Sequence, residues 1–182
     1  MRRTLKADLT HYESNISLYS AMERPIGGEA DDFQMARFIC AHTIMLALEG
    51  LPAIYIHSLL GTENNREGMA QSGRARTINR YHWEADDLYA ALDDDGRHHM
   101  AVFTEMRRLI QIRLAQDAFH PNAKQDTLHF SDQSFACWRE SLDRRQSLFA
   151  LHNVSSERQT IPLVELNLIA TEAWVDLSSG AV

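Results

Sequence analysis

At 182 residues and 45% hydrophobic content, the chain is long enough for one domain, or one and a half, around a packed core. Its formal charge of −7 argues against general nucleic-acid binding, which needs a basic surface for phosphates. No apolar run approaches the length that spans a bilayer.

The two cysteines, Cys40 and Cys137, form no CxxC pair, so no zinc site is expected. Both lie in apolar runs and read as buried free thiols of a reduced compartment, which implies a cytoplasmic protein. No secretory apolar segment opens the sequence, so the sequons at Asn15-Ile16-Ser17 and Asn153-Val154-Ser155 read as chance matches.

Residues 1–30 have little periodicity, and Pro25, Gly27 and Gly28 read as loop. Asp31 or Asp32 is placed to cap a helix that runs to about Glu49, with Phe33, Ala36, Cys40, Ile44 and Ala47 at helical spacing. Met45, Leu46 and Leu48 widen that stripe, and Gly50 supplies the stop. Residues 52–58 follow, apolar on both faces through Ala-Ile-Tyr-Ile, which predicts a strand covered on both sides as in a parallel sheet. About twenty mostly polar residues after Gly61 then predict a long loop, of the kind that holds substrate in α/β enzymes. That loop carries Arg66, Arg74, Arg76 and Arg80.

A short helix is predicted over 84–92 and a stronger one over 99–116, with Phe103, Met106, Ile110 and Leu114 on its inner face. The character changes at His120-Pro121-Asn122. Short strand-like runs follow at 127–130, 135–140, 147–153, 160–163 and 173–177, separated by Ser-, Asp- and Asn-rich turns. The expected fold class is α/β followed by a small antiparallel β domain, divided as residues 1–120 and 121–182. One difficulty stands out. The first 118 residues hold a single convincing α/β strand, which cannot close a sheet, and a whole barrel takes roughly 250 residues. The expectation is a piece of a larger protein, or a domain that borrows strands from a partner.

Six stretches carry a resemblance. LPAIYIHSLLG (51–61), NNREG (64–68) and GRARTINR (73–80) resemble the eighth strand and following loop of the sucrose phosphorylase-like branch of glycoside hydrolase family 13, within the α-amylase superfamily. The nearest likeness is to the part of that branch holding glucosylglycerate and sucrose 6-phosphate phosphorylases. YESNISLYSAM (12–22) is similar to a loop before the family's seventh helix. AFHPNAKQDTL (118–128) and LFALHNVSSERQTIPL (148–163) resemble its C-terminal β domain.

The resemblance implies the last helix-strand-helix units of a (β/α)₈ barrel followed by a β domain. It also implies retaining glucosyl transfer, in which one carboxylate attacks the anomeric carbon and a second protonates the leaving oxygen. In the phosphorylases, phosphate then takes the glucose. The family's carboxylates follow the fourth, fifth and seventh strands, the last in a His-Asp pair. None of those positions lies in this chain, which has no His-Asp dipeptide. No catalytic residue is therefore assigned, and no cofactor or metal is expected. The implied partners are an α-glucoside and inorganic phosphate in the complete enzyme. The chain itself reads as a fragment that is inactive alone and prone to self-association or to pairing with a missing N-terminal part.

Arg74 and Arg76 are the leading binding candidates. The family has an arginine here that helps hold phosphate or acceptor, and a planar guanidinium can grip two oxygens at once. Which of the two corresponds stays open. Tyr12 and Glu13 match a loop on the acceptor side of the pocket, although sucrose phosphorylases proper carry glutamine at the Glu13 position, and a glutamate would repel phosphate. His57 lies at the C-terminal end of the predicted strand, the end that faces substrate in a barrel. His98 and His99 would point apart on a helix, which argues against a metal, and Tyr55 and Trp83 read as packing residues. A rival reading is a non-catalytic module that binds sugar through Trp138 and Trp174 or serves assembly. A second is an α-glucoside hydrolase that uses water in place of phosphate.

Overall fold

The structure is a computed structural model that describes residues 15–166 and 174–180. Tyr12 and Glu13 lie outside the described residues. Those described form six α-helices and one three-stranded antiparallel sheet.

Helix α1, Leu18–Ala21, starts at Ser17, whose hydroxyl accepts the Ser20 N–H at 3.2 Å. Helix α2, Gln34–Ala47, has Phe33 as its N-cap rather than Asp31 or Asp32. Asp31 still organises the entry: it takes the Phe33 N–H at 2.9 Å and two bonds from Arg37, at 2.7 and 3.0 Å. The helix ends two residues before the predicted Glu49, and Gly50 follows at φ +91°. Its buried stripe is Phe38, His42, Leu46 and Ala47, while Phe33 is 51% exposed. Because the helix is apolar around most of its circumference, spacing alone could not choose the stripe; packing did.

Helix α3, Ile56–Leu59, stands where a strand was predicted. The preceding residues 51–55 have no strand partner among the described residues. A strand exists only through its ladder, so the apolar run lacks the neighbour that would make it one. The following loop is also more ordered than expected. It folds into α4, Arg66–Ser72, and a 3₁₀ turn, Ala75–Asn79. Asn65 caps α4 by accepting the Gly68 N–H at 2.9 Å, and Gly73 ends it in the left-handed region at φ +64°.

Helix α5 spans Ala85–Asp93 and α6 spans His98–Leu114, as the periodicity predicted to within a residue or two. The inner face of α6 is Val102, Met106 and Arg113; of the predicted set Met106 is buried and Leu114 is 80% exposed. Tyr19, Phe38, Val102 and Met106 form the core where α1, α2 and α6 meet. Tyr19 meets Phe38 edge-on at 5.2 Å and stacks on His98 at 4.3 Å.

Strands β1, Lys124–Leu128, β2, Ser134–Glu140, and β3, Ser147–Asn153, form a meander in the order β1-β2-β3. Lys124 faces Glu140 and Ser134 faces Asn153. β3 matches its prediction and β2 begins one residue early, while β1 starts three residues before the predicted 127. The run at 160–163 is not a strand: a 3₁₀ turn, Leu163–Leu166, begins there. Residue 173 lies outside the described residues, and 174–177 form no strand.

Two buried arginines converge on the end of α2, Arg139 from the sheet and Arg113 from α6. Arg139, fully buried on β2, donates to Ala47 O at 2.9 Å and His120 O at 3.0 Å. Arg113 donates to Leu46 O and, at 2.9 Å, to Gly50 O. Both guanidinium groups lie over the Phe119 ring, at 5.3 and 5.8 Å. Positive charge on the carbonyl end of a helix satisfies orphan acceptors and complements its dipole. Cys137 is buried beside Ala47 and Cys40 is half-buried; neither is disulfide-bonded.

Candidate functional site

Residues 55–83 surround an open cleft of about 960 Å³. Tyr55, His57, Asn79, Tyr81, His82 and Trp83 line it, with apolar residues of α5 and α6 behind. The wall is aromatic, carries several hydrogen-bonding groups and includes the cationic Arg80, a composition suited to polyhydroxylated ligands.

The turn that shapes the cleft is pinned from α6. His98 Nε2 bonds Gly61 O at 2.8 Å and His99 Nδ1 bonds Leu60 O at 2.7 Å. Each contact requires a protonated ring nitrogen, because a carbonyl only accepts. The neighbouring histidines thus hold backbone rather than metal, and no group of three or more metal-ligating side chains occurs among the described residues. Gly61 is needed at this turn: at φ +59° a side chain is strained, and a Cβ would meet Val102 Cγ2 at 3.2 Å.

His57, on α3, lines the cleft and is half-buried. Its Nδ1 lies 3.2 Å from Thr62 Oγ1, and the Tyr55 ring meets it edge-on at 4.9 Å. Burial lowers its pKa, and the nearby His82 lowers it further. Trp83 is more than packing: its Nε1–H donates to Thr62 Oγ1 at 3.1 Å. Tyr55, 52% exposed, donates its hydroxyl to Asn79 O at 3.3 Å. Nothing in the sequence marked Thr62, since a lone threonine in a polar stretch carries no pattern.

Arg74 and Arg76 flank the start of the 3₁₀ turn and are both exposed. No carboxylate among the described residues forms an ion pair with Arg74; its backbone N–H is held by Ser72 Oγ at 3.3 Å. The structure brings His57 to the cleft but includes neither arginine among the cleft-lining residues. Both proposed sugar platforms are occupied by protein neighbours. Lys124 Nζ sits 4.7 Å over the Trp138 ring, and Trp174 packs edge-on against Phe149 at 5.3 Å.

No protein-family profile matches the chain. Curated relatives do. Glucosylglycerate phosphorylase of Escherichia coli is 35% identical over 158 residues, covering 86% of this chain and 27% of that protein. The enzyme of the same name from Allomeiothermus silvanus is 33% identical over 145 residues, covering 74% of this chain and 26% of its own length. The chain belongs to the sucrose phosphorylase-like branch of glycoside hydrolase family 13. It spans about a quarter of the length of the curated relatives it matches. Among solved structures, sucrose 6F-phosphate phosphorylase from Thermoanaerobacter thermosaccharolyticum aligns with 63% of this chain and 24% of its own length at 18% identity, with a TM-score of 0.44. A superposition that loose adds no weight to the sequence matches. No helix among the described residues is long and apolar enough to cross a membrane.

Proposed function

We propose that this chain is the C-terminal part of a retaining α-glucosyl-transferring phosphorylase, whose complete form converts an α-glucoside and phosphate into α-glucose 1-phosphate. The observation that carries this reading is identity of 33–35% to glucosylglycerate phosphorylases across 74–86% of the chain. In this reading residues 1–120 are the end of the barrel and 121–182 its β domain. The extended residues 51–55 are the eighth strand, awaiting its neighbours. Arg74 or Arg76 contributes to holding phosphate or acceptor, with Tyr12, Glu13 and His57 on the same side of the pocket. The carboxylates that break and form the glycosidic bond come from elsewhere. Phosphorolysis is favoured over hydrolysis because the relatives are phosphorylases.

Two measurements test this. The purified 182-residue chain, given an α-glucoside and phosphate, should release no glucose 1-phosphate; appreciable release would overturn the assignment of catalysis to other parts. A chimera in which this chain replaces the matching segment of the Escherichia coli relative should show phosphate-dependent turnover of that enzyme's substrate. A folded but inactive chimera counts against the reading, and phosphate-independent release of glucose favours the hydrolase.

A further inference from the structure

Thr62 stands at the junction of α3 and the α4 segment. It is buried, with 5% exposure, and its N–H donates to His57 O at 2.8 Å. Its hydroxyl oxygen meets two ring nitrogens, Trp83 Nε1 at 3.1 Å and His57 Nδ1 at 3.2 Å. The indole N–H can only donate, so Thr62 must accept from Trp83. That leaves two arrangements for the histidine. If Nδ1–H donates to Thr62, the hydroxyl proton needs another acceptor, and none lies within hydrogen-bond distance among the described residues. A buried hydroxyl proton without an acceptor is costly. If instead Thr62 donates to a bare Nδ1, the Thr62 hydroxyl, the Trp83 indole N–H and His57 Nδ1 are all satisfied.

We propose that Thr62 is a positioning residue: by accepting from Trp83 and donating to His57 Nδ1, it fixes His57 as the neutral Nε2–H tautomer and presents that N–H to an acceptor oxygen in the cleft. Burial of the imidazole supports the neutral form around neutral pH. His57 Nε2 has no hydrogen-bond partner among the described residues, and its ring lines the cleft beside Tyr81 and Trp83. A neutral N–H donor beside the aromatic rings of Tyr81 and Trp83 suits a sugar hydroxyl, whereas a phosphate dianion would be drawn to the charge of Arg80 on the same wall. The tautomer follows from the geometry alone; the choice of a sugar hydroxyl as ligand rests on the phosphorylase reading.

Nuclear magnetic resonance of the ¹⁵N-labelled 182-residue chain tests it. Two-bond proton–nitrogen spectra distinguish protonated from bare ring nitrogens, and His57 is assigned by the signals lost in His57→Gln. The wild type should show a bare Nδ1 and a protonated Nε2. Thr62→Val should give a tautomer mixture and about tenfold faster exchange of the Trp83 indole proton, whereas Thr62→Ser should restore both to the wild-type pattern. A protonated Nδ1 in the wild type, or an unchanged tautomer in Thr62→Val, overturns the proposal. Should Thr62→Val fail to fold, the wild-type spectrum still decides. Glucose titrated into the wild type should shift His57 Nε2. A silent His57 removes the sugar assignment while the tautomer stands or falls on its own spectrum, independently of whether the chimera turns over.

Discussion

Two regions of this chain differ in how far the described residues satisfy them. The seam at the C-terminal end of α2 is finished: Arg113 of α6 and Arg139 of β2 donate to its last carbonyls, Phe119 lies under both guanidinium groups, and Cys137 closes against Ala47. The stretch from 51 to 60 is unfinished. Leu51 is 84% exposed, Ile56 54% and Tyr55 52%, and Leu114 of α6 is 80% exposed. An apolar run without a ladder partner on either side is half of a structure. The comparison separates side chains whose partners are all at hand from an apolar run left open to solvent.

The largest effect that would sharpen this contrast is in the helical core that supports both regions. Phe38 is fully buried against Tyr19 and Met106. Phe38→Ala is expected to cost about 4 kcal/mol, measured by urea unfolding. At the finished seam, Arg139→Met should cost about 3 kcal/mol, because it strands Ala47 O and His120 O. An unchanged unfolding midpoint for that variant would show that the seam is incidental.

In the unfinished region the same kind of change should act on association instead. The chain is expected to self-associate, and Ile56→Lys combined with Leu114→Lys should shift a sedimentation series toward monomer with stability changed by no more than about 0.5 kcal/mol. A wild type that stays monomeric across the series would break the comparison outright. Arg74→Ala should likewise leave stability within about 0.5 kcal/mol of wild type. In the active chimera it should weaken phosphate or acceptor binding by about 10- to 100-fold, if Arg74 rather than Arg76 is the binding arginine.

The smallest effect concerns acid. Burial lowers the pKa of His42 and His152, both buried and both bonded to backbone carbonyls. Their neutral forms are favoured in the fold. Stability is therefore full above the unfolded histidine value of about 6.5 and falls as pH drops through that value toward the depressed folded ones. His42→Gln should flatten the slope of unfolding midpoint against pH in that window.

Local chemistry made much of the chain legible in advance. Helices α2, α5 and α6 declared themselves by spacing, and β2 and β3 by short apolar runs between Ser- and Asp-rich turns. The family resemblance was carried by contiguous strings of residues, which need no fold to be compared. What escaped was whatever depends on a distant partner. Periodicity placed Leu114 inside, where it is 80% exposed, and put Phe33 on a stripe that packing gave to Phe38. The apolar run at 52–58 carries a strand's residues, yet becomes extended chain and then α3 because a ladder takes two strands.

The sequence by itself determined helices α2, α5 and α6, strands β2 and β3, the arginine-bearing segment after α3, and membership of the phosphorylase branch. All of these are written in neighbouring residues. Only the tertiary structure decided that Thr62 joins His57 to Trp83, which lies 21 positions beyond it, that two histidines hold a turn, and that Arg139 of β2 and Arg113 of α6 converge on the end of α2. Such contacts join residues that are remote in the chain, and hydrogen-bond geometry exists only once packing has brought them within reach.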